Sequence, residues 1–249
     1  MRLDGKIVLV TGSSSGIGRA IALGCARVGA DVAVTYRANR PGAELTAREI
    51  RGHGRRAEVL QVDVSQGEQI DALAAALQER FGRVDAWINN AGADILTGAG
   101  GRLSRLDKLD RVLAVDLRGT ILASWAAVEM MGERGGAIIN VSWDHISLGM
   151  KGENPILYSV AKGGIASFSK SLAREVAPGI RVNILAPGFI ETAFGEQADT
   201  AWYRDVAERT PLQRWGRPDD LVGAAIFLAS DASSFITGQT IMVNGGMVM

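Results

Sequence analysis

Residues 6–23 read "KIVLVTGSSSGIGRAIAL", and this run decides the architecture. Ile7–Val10 is a short continuous apolar stretch, the pattern of a strand covered on both faces. From Ile17 to Val28 the apolar residues return at helical spacing. Between the two lies "TGSSSGIG", Thr11 to Gly18. Gly12, Gly16 and Gly18 permit a tight turn, a close approach of an anion to the main chain, and close packing of helix on strand, while the helix N-terminus offers unpaired N–H groups. An ordinary Gly/Ser turn has the same composition, so the rest of the chain must decide between turn and phosphate loop.

Outward from this unit the pattern repeats. Strands are predicted at Ile7–Val10, Val32–Tyr36, Glu58–Val62, Ala86–Ile88, Ala137–Val141, Val182–Leu185 and Thr240–Val243. Helices are predicted at Ile17–Val28, Ala43–Arg51, Glu68–Arg80, Lys108–Glu133, Ile156–Val176 and Asp219–Ala229, with a shorter one near Asp199–Glu208. Gly29, Gly52, Gly82 and Gly179 each follow a helical pattern where a left-handed cap belongs. Strands alternating with helices imply an α/β fold: a Rossmann-type doubly wound parallel sheet of about seven strands with helices on both faces. No linker or repeat divides the chain, so residues 1–249 are expected to form a single domain. In such sheets ligands bind outside the carboxyl ends of the strands.

Lys plus Arg and Asp plus Glu both number 27 among the 249 residues, so no net charge draws the chain to nucleic acid or an anionic membrane. Cys25 sits alone in an Ala- and Gly-rich helical pattern and reads as a packed side chain, which fits a reducing compartment. The N-terminal apolar run is too short for a signal peptide, and Gln239, Asn244 and several glycines spoil the C-terminal run as a membrane span. These features lead us to expect a soluble cytoplasmic protein.

The strand ends carry the chemistry. After the second strand the chain reads "VAVTYRANR", with no acid from Val32 to Arg40 and with Arg37 and Arg40 nearby. A dinucleotide site for NAD commonly has an acid here for the ribose 2′-hydroxyl, and one for NADP has Arg instead. NADP(H) is therefore the expected preference, with NAD(H) the alternative. Asp63 and Val64 follow the third strand, and "NNAG", Asn89 to Gly92, follows the fourth. Tyr158 and Lys162 are four apart on a predicted helix and share a face. An ammonium beside a phenol favours the phenolate, so Tyr158 could serve as acid toward a carbonyl or base toward an alcohol.

The order "TGSSSGIG", "NNAG", "YSVAK", "NILAPGFIET" and "FLASDASSFITGQTIMVNGG" resembles the short-chain dehydrogenase/reductase family, in particular its 3-oxoacyl-[acyl-carrier-protein] reductase-like and glucose dehydrogenase-like members. The resemblance implies a cofactor loop of Gly12, Ser14, Gly16, Ile17 and Gly18, with adenine contacts at Asp63 and Val64. It also implies Asn90, Ala91 and Gly92 along the cofactor, Tyr158 and Lys162 as a catalytic pair that also touches it, and Pro187, Gly188, Ile190 and Thr192 at the nicotinamide end. Hydride would pass between nicotinamide and a carbonyl carbon.

Two positions depart from the family pattern. Its strand five ends in two small residues, the second a Ser that bonds the substrate oxygen; "GAIINVSW" places Ser142 first and Trp143 second. Because side chains alternate along a strand, Ser142 should point away from the face that position 143 serves. Ser142, Asp144 or His145 is left to take that Ser's place, unless Asp144 and His145 are simply exposed loop residues. In "LAVDLRG", Asp116 stands where the family has a water-holding Asn; it either keeps a proton relay alive or is a tolerated helix residue.

Residues 191–218 occupy the place of a substrate lid. Phe194, Trp202, Tyr203 and Trp215 there, with Trp143 and Met150 opposite, either line an apolar pocket or pack beneath a loop. A small-molecule carbonyl or secondary alcohol is the expected partner. Ile121, Leu122, Trp125 and Val128 give the long helix more apolar surface than one sheet face needs, and by analogy with the family a homotetramer is expected. Two readings remain: an NADP(H)-preferring oxidoreductase, and a cofactor-binding sensor or scaffold that has lost catalysis.

Overall fold

The computed structural model describes residues 1–192 and 200–249. Its strands are β1 (Ile7–Val10), β2 (Asp31–Tyr36), β3 (Ala57–Gln61), β4 (Ala86–Asn89), β5 (Gly136–Val141), β6 (Ile180–Pro187) and β7 (Thr240–Val243). They form one seven-stranded sheet in the order β3-β2-β1-β4-β5-β6-β7, with every neighbouring pair parallel. This is the Rossmann-type doubly wound arrangement that the sequence predicts. The order reverses between β1 and β4, and ligands bind at such a switch point.

Helices α1 (Gly16–Arg27), α2 (Arg40–Gly52), α3 (Gly67–Phe81), α4 (Gly98–Gly101), α5 (Arg105–Val112), α6 (Gly119–Met131) and α7 (Glu153–Glu175) follow in chain order, and helices Thr200–Arg209 and Val222–Ala229 come after the undescribed stretch. Successive strand side chains point to opposite faces, and both faces are covered. Val8, Val10 and Val34 pack with Ile21, Cys25 and Leu228 on one side. Leu9, Ala33, Trp87 and Ile138 pack with Leu77, Ala127 and Leu172 on the other. Burial pushes the Cys25 thiol up to about 12, so it is a packed side chain and not a thiolate nucleophile. No described helix is long and apolar enough to cross a membrane.

Several expectations about helix ends need correction. Gly82 adopts the left-handed cap conformation and Gly29 also has positive φ, but Gly52 and Gly179 do not. Helix α2 runs through Gly52, and Gly54 takes the left-handed turn at φ 72°. Pro178, which has no N–H to donate, follows α7, and Gly179 continues toward β6. Helix α2 starts earlier than predicted, because the Asn39 side chain accepts from the Gly42 N–H at 3.1 Å and caps it. The predicted helix Lys108–Glu133 is α5 and α6 joined by a π-helical segment, Leu113–Arg118. Such segments have no residue-type signature and concentrate at functional sites; this one carries Asp116. Helix α7 begins at Glu153, not Ile156, which adds Asn154 to the helix of Tyr158.

A buried polar network ties the central strands to the helices over them. Asn89 on β4 donates to Asn140 on β5 at 2.8 Å and to Ser124 on α6 at 3.1 Å. Asn140 in turn donates to Ser169 on α7 at 2.9 Å. Each group is satisfied by the others, so deleting one strands its neighbours without water. Asn140→Ala is expected to cost about 2–3 kcal/mol and, in a chain of this size, to lower the thermal midpoint by roughly 4–12 °C, as calorimetry would read.

Candidate active site

The carboxyl ends of β1, β4, β5 and β6 surround a cavity of about 980 Å³. Its cofactor-side wall includes Gly12, Gly16, Ile17 and Gly18 with Asn90 and Gly92, and its far side includes Pro187, Gly188, Ile190 and Thr192. Ser14, Arg37, Asp63, Val64 and Ala91 lie outside that wall. The glycine positions have distinct reasons. Gly12 and Gly16 have φ of 68° and 54°, and a Cβ on Gly18 would lie 2.4 Å from the Gly12 carbonyl oxygen. The first turn of α1 has no side-chain cap and no acid on it, so its N–H groups open toward the cavity. That donor set suits a pyrophosphate. The Thr11 hydroxyl accepts from the Asn90 and Ala91 N–H groups at 2.9 Å each, which joins the β1 and β4 ends.

At the end of β2, Arg37 is exposed and its carbonyl accepts from Gln61, while Arg40 pairs with Glu44 at 3.7 Å. The Asp63 carboxylate accepts from the Ser65 N–H and hydroxyl and so holds its own turn. A smaller cleft of about 450 Å³ on the outer side of α1 holds none of these groups except Gly16.

On the opposite wall, α7 presents Tyr158 and Lys162 one turn apart, as their spacing requires. The Lys162 ammonium lies 2.9 Å from Asp116 Oδ2 and donates to the Val141 carbonyl at 3.3 Å. Asp116 is fully buried; its Oδ1 accepts from the Ala93 N–H at 2.7 Å, and its Oδ2, in ionic contact with Lys162, has no hydrogen-bond donor among the described residues. Asp116 thus lines the cavity and is paired with Lys162. Tyr158 donates its hydroxyl to the Ala93 carbonyl at 2.8 Å.

The sequence argument that Lys162 lowers the Tyr158 pKa does not hold in this geometry. Burial first, and then the negative charges of Asp116 and Asp94, hold the phenol well above its ordinary value. The charge of Lys162 is matched by Asp116, so little of it remains for the phenol.

Strand five ends as side-chain alternation requires. Ser142 donates to the Lys162 carbonyl at 2.8 Å, which turns its proton away from the cavity it borders. Asp144 and His145 are buried, contrary to the exposed-loop alternative. Asp144 bonds His145 Nδ1 at 2.6 Å and accepts from Asn244 at 3.1 Å, and neither Asp144 nor His145 reaches the cavity wall. Trp143 does reach it and stacks on His145 with ring centroids 5.0 Å apart.

The aromatic residues both line the cavity and pack beneath it. Phe189, Trp202 and Trp215 form one wall, with centroids 5.2–5.5 Å apart. Tyr203 stacks behind Trp215 and donates its hydroxyl to Glu191. Met150 also lines the cavity. Phe194 lies outside the described residues. Sequence reading missed Phe189, although it directly follows Gly188, and missed Asn154, whose signal was its place four residues before Tyr158. Both line the cavity.

Residues 12–248 match the family model described as enoyl-(acyl carrier protein) reductase. A 3-oxoacyl-[acyl-carrier-protein] reductase from Synechocystis is 36% identical, covering 99% of this chain and 98% of that protein. The chain belongs to the short-chain dehydrogenase/reductase family. The 3β-hydroxysteroid dehydrogenase 1 of Eggerthella lenta is also 36% identical, covering 99% of this chain and 95% of its own length. A solved gluconate 5-dehydrogenase from Burkholderia cenocepacia, in complex with NADP and tartrate, superposes with a TM-score of 0.89 at 35% identity, covering 99% of this chain and 96% of that one. This short-chain dehydrogenase/reductase is accordingly an NAD(P)-dependent oxidoreductase that acts on CH–OH groups and the corresponding carbonyls of small molecules.

The buried ion pair of this dehydrogenase/reductase has a testable consequence. Removing only the cation leaves a desolvated carboxylate, which costs far more than removing both charges. Lys162→Met is expected to lose roughly 3–5 kcal/mol of stability at neutral pH. The double variant with Asp116→Asn should recover much of that loss in denaturant titrations.

Proposed function

We propose that this chain is an NADP(H)-preferring ketone reductase, 3-oxoacyl reductase-like or closely related, working on a neutral carbonyl compound with an apolar body. The observation that carries the reading is the convergence of Tyr158, Lys162 and Asp116 on a cavity continuous with the open N-terminus of α1. When bound, the nicotinamide cofactor supplies or accepts the hydride. Gly12, Ser14, Gly16, Ile17 and Gly18 would hold its pyrophosphate. Asp63 and Val64 would border the adenine, Asn90, Ala91 and Gly92 would lie along it, and Pro187, Gly188, Ile190 and Thr192 would hold its far end. Arg37 is exposed with no ion pair among the described residues, which supports a role toward a 2′-phosphate.

Tyr158, kept protonated by burial and by the nearby carboxylates, is suited to give a proton to a carbonyl oxygen in the reductive direction. Lys162 would orient the cofactor ribose, and Asp116 holds Lys162 in place. The described cavity wall carries the charges of Asp94, Asp116 and Lys162 and no arginine, so a sugar acid has no spare cation to meet its carboxylate. The aromatic wall favours an apolar carbonyl body instead. Exposed Trp125, Ile156 and Val160 on α6 and α7 support the homotetramer as part of the same reading.

The committed proton of Ser142 favours one rival, a cofactor-binding sensor without turnover. NADPH and NADH oxidation against a panel of ketones, diketones and 3-oxoacyl thioesters separates the two. Turnover should fall roughly 10²–10⁴-fold in Tyr158→Phe, and Arg37→Ala should lower kcat/KM for NADPH relative to NADH by roughly tenfold or more. Tight cofactor binding with silence across the panel would favour the sensor.

The pH dependence follows from the same charges. Alcohol oxidation needs the Tyr158 phenolate, so its kcat/KM should rise with pH late, at alkaline values. Asp116→Asn removes a negative charge that opposes the phenolate, and the rise should move to lower pH. An unmoved limb in the pH–rate profile would show that the Asp116 charge does not act on Tyr158.

A further inference from the structure

Resting on that reading, we propose that Asn154 replaces the Ser this chain lacks as the hydrogen-bond donor to the substrate oxygen, and that Lys108 is the positioning residue that aims it. Asn154, Tyr158 and Lys162 stand at i, i+4 and i+8 on α7, so they share one helix face, and all three line the cavity. Asn154 therefore sits one turn from the acid that serves the same oxygen.

The orientation of its amide follows from its neighbour. Lys108 on α5 is buried, 8% exposed, and its ammonium donates to Asn154 Oδ1 at 3.2 Å. No carboxylate lies within ion-pair distance of it among the described residues. An ammonium can only donate, so the amide oxygen must face Lys108 and the NH₂ group must face away from it. Asn154 Nδ2 has no acceptor among the described residues. The Lys108 ammonium has no other hydrogen-bond acceptor among the described residues, an arrangement that stability alone does not call for. It makes sense as polarisation: a positive charge on the amide oxygen strengthens the N–H donors on the other side, where negative charge grows as a carbonyl is reduced.

The other candidates on this wall are spent. Ser142 gives its proton to the Lys162 carbonyl, and Asp144 and His145 bond each other away from the cavity. Among the described residues beside Ser142, the indole N–H of Trp143 is a rival donor.

Asn154→Asp makes the decisive test. The carboxylate keeps an oxygen on Lys108 and nearly the same volume, so a merely structural role is preserved, while the donor is lost and a repelling charge faces the oxygen. With the best ketone of the panel, we expect kcat/KM to fall roughly a hundredfold, with the NADPH dissociation constant, read by fluorescence, unchanged. Asn154→Ala should fall by a similar factor, and Lys108→Met by less, chiefly in kcat. Wild-type kcat/KM in Asn154→Asp, or a loss confined to Trp143→Phe, would overturn the assignment while leaving the reductase reading intact. A wild-type protein silent toward every carbonyl, or a Tyr158→Phe variant as active as wild type, would remove the reading and the assignment together.

Discussion

One buried carboxylate organises the site. Asp116 receives the Ala93 N–H with one oxygen and faces the Lys162 ammonium with the other. It thereby joins the loop after β4, the π-helical segment and α7, three parts of the chain with no covalent reason to meet. A charge removed from water this completely persists only if it is paired, so the pair constrains the register of all three. Tyr158 hangs on the same framework, because its hydroxyl bonds the carbonyl of the residue whose N–H Asp116 holds. The Asn89–Asn140 network beneath the site does similar work for β4, β5, α6 and α7.

The pair also sets the electrostatics. An amide at position 116 would leave Lys162 uncompensated and the phenol easier to ionise; a carboxylate cancels that charge and favours the protonated phenol. A buried phenol beside carboxylates is raised above its ordinary value and stays protonated near neutral pH. Around it, Trp143, Phe189, Trp202 and Trp215 add aromatic rings to the described wall.

The parallel sheet, its strands and the glycine loop were legible in the sequence because they rest on local rules. Apolar runs of strand length, helical periodicity and glycines where the backbone needs positive φ or close approach are properties of neighbouring residues. The departure at Trp143 was legible for the same reason, since alternation along β5 decides which way Ser142 points. The corrected caps at Gly52 and Gly179 and the π-helical turn were not, because each depends on where the next element lies rather than on residue type.

By itself, then, the sequence determined the doubly wound fold, the glycine-rich loop after β1, the Tyr158–Lys162 face and the place where the usual Ser is missing. Only the tertiary structure decided that Asp116 pairs with Lys162, that Tyr158 is buried near Asp116 and Asp94, that Asp144 and His145 face each other away from the cavity, and that Lys108 meets the Asn154 amide oxygen. Apart from the bond between the neighbours Asp144 and His145, these are contacts between residues tens of positions apart. Their energies depend on distance and burial, and neither quantity exists until the chain has folded.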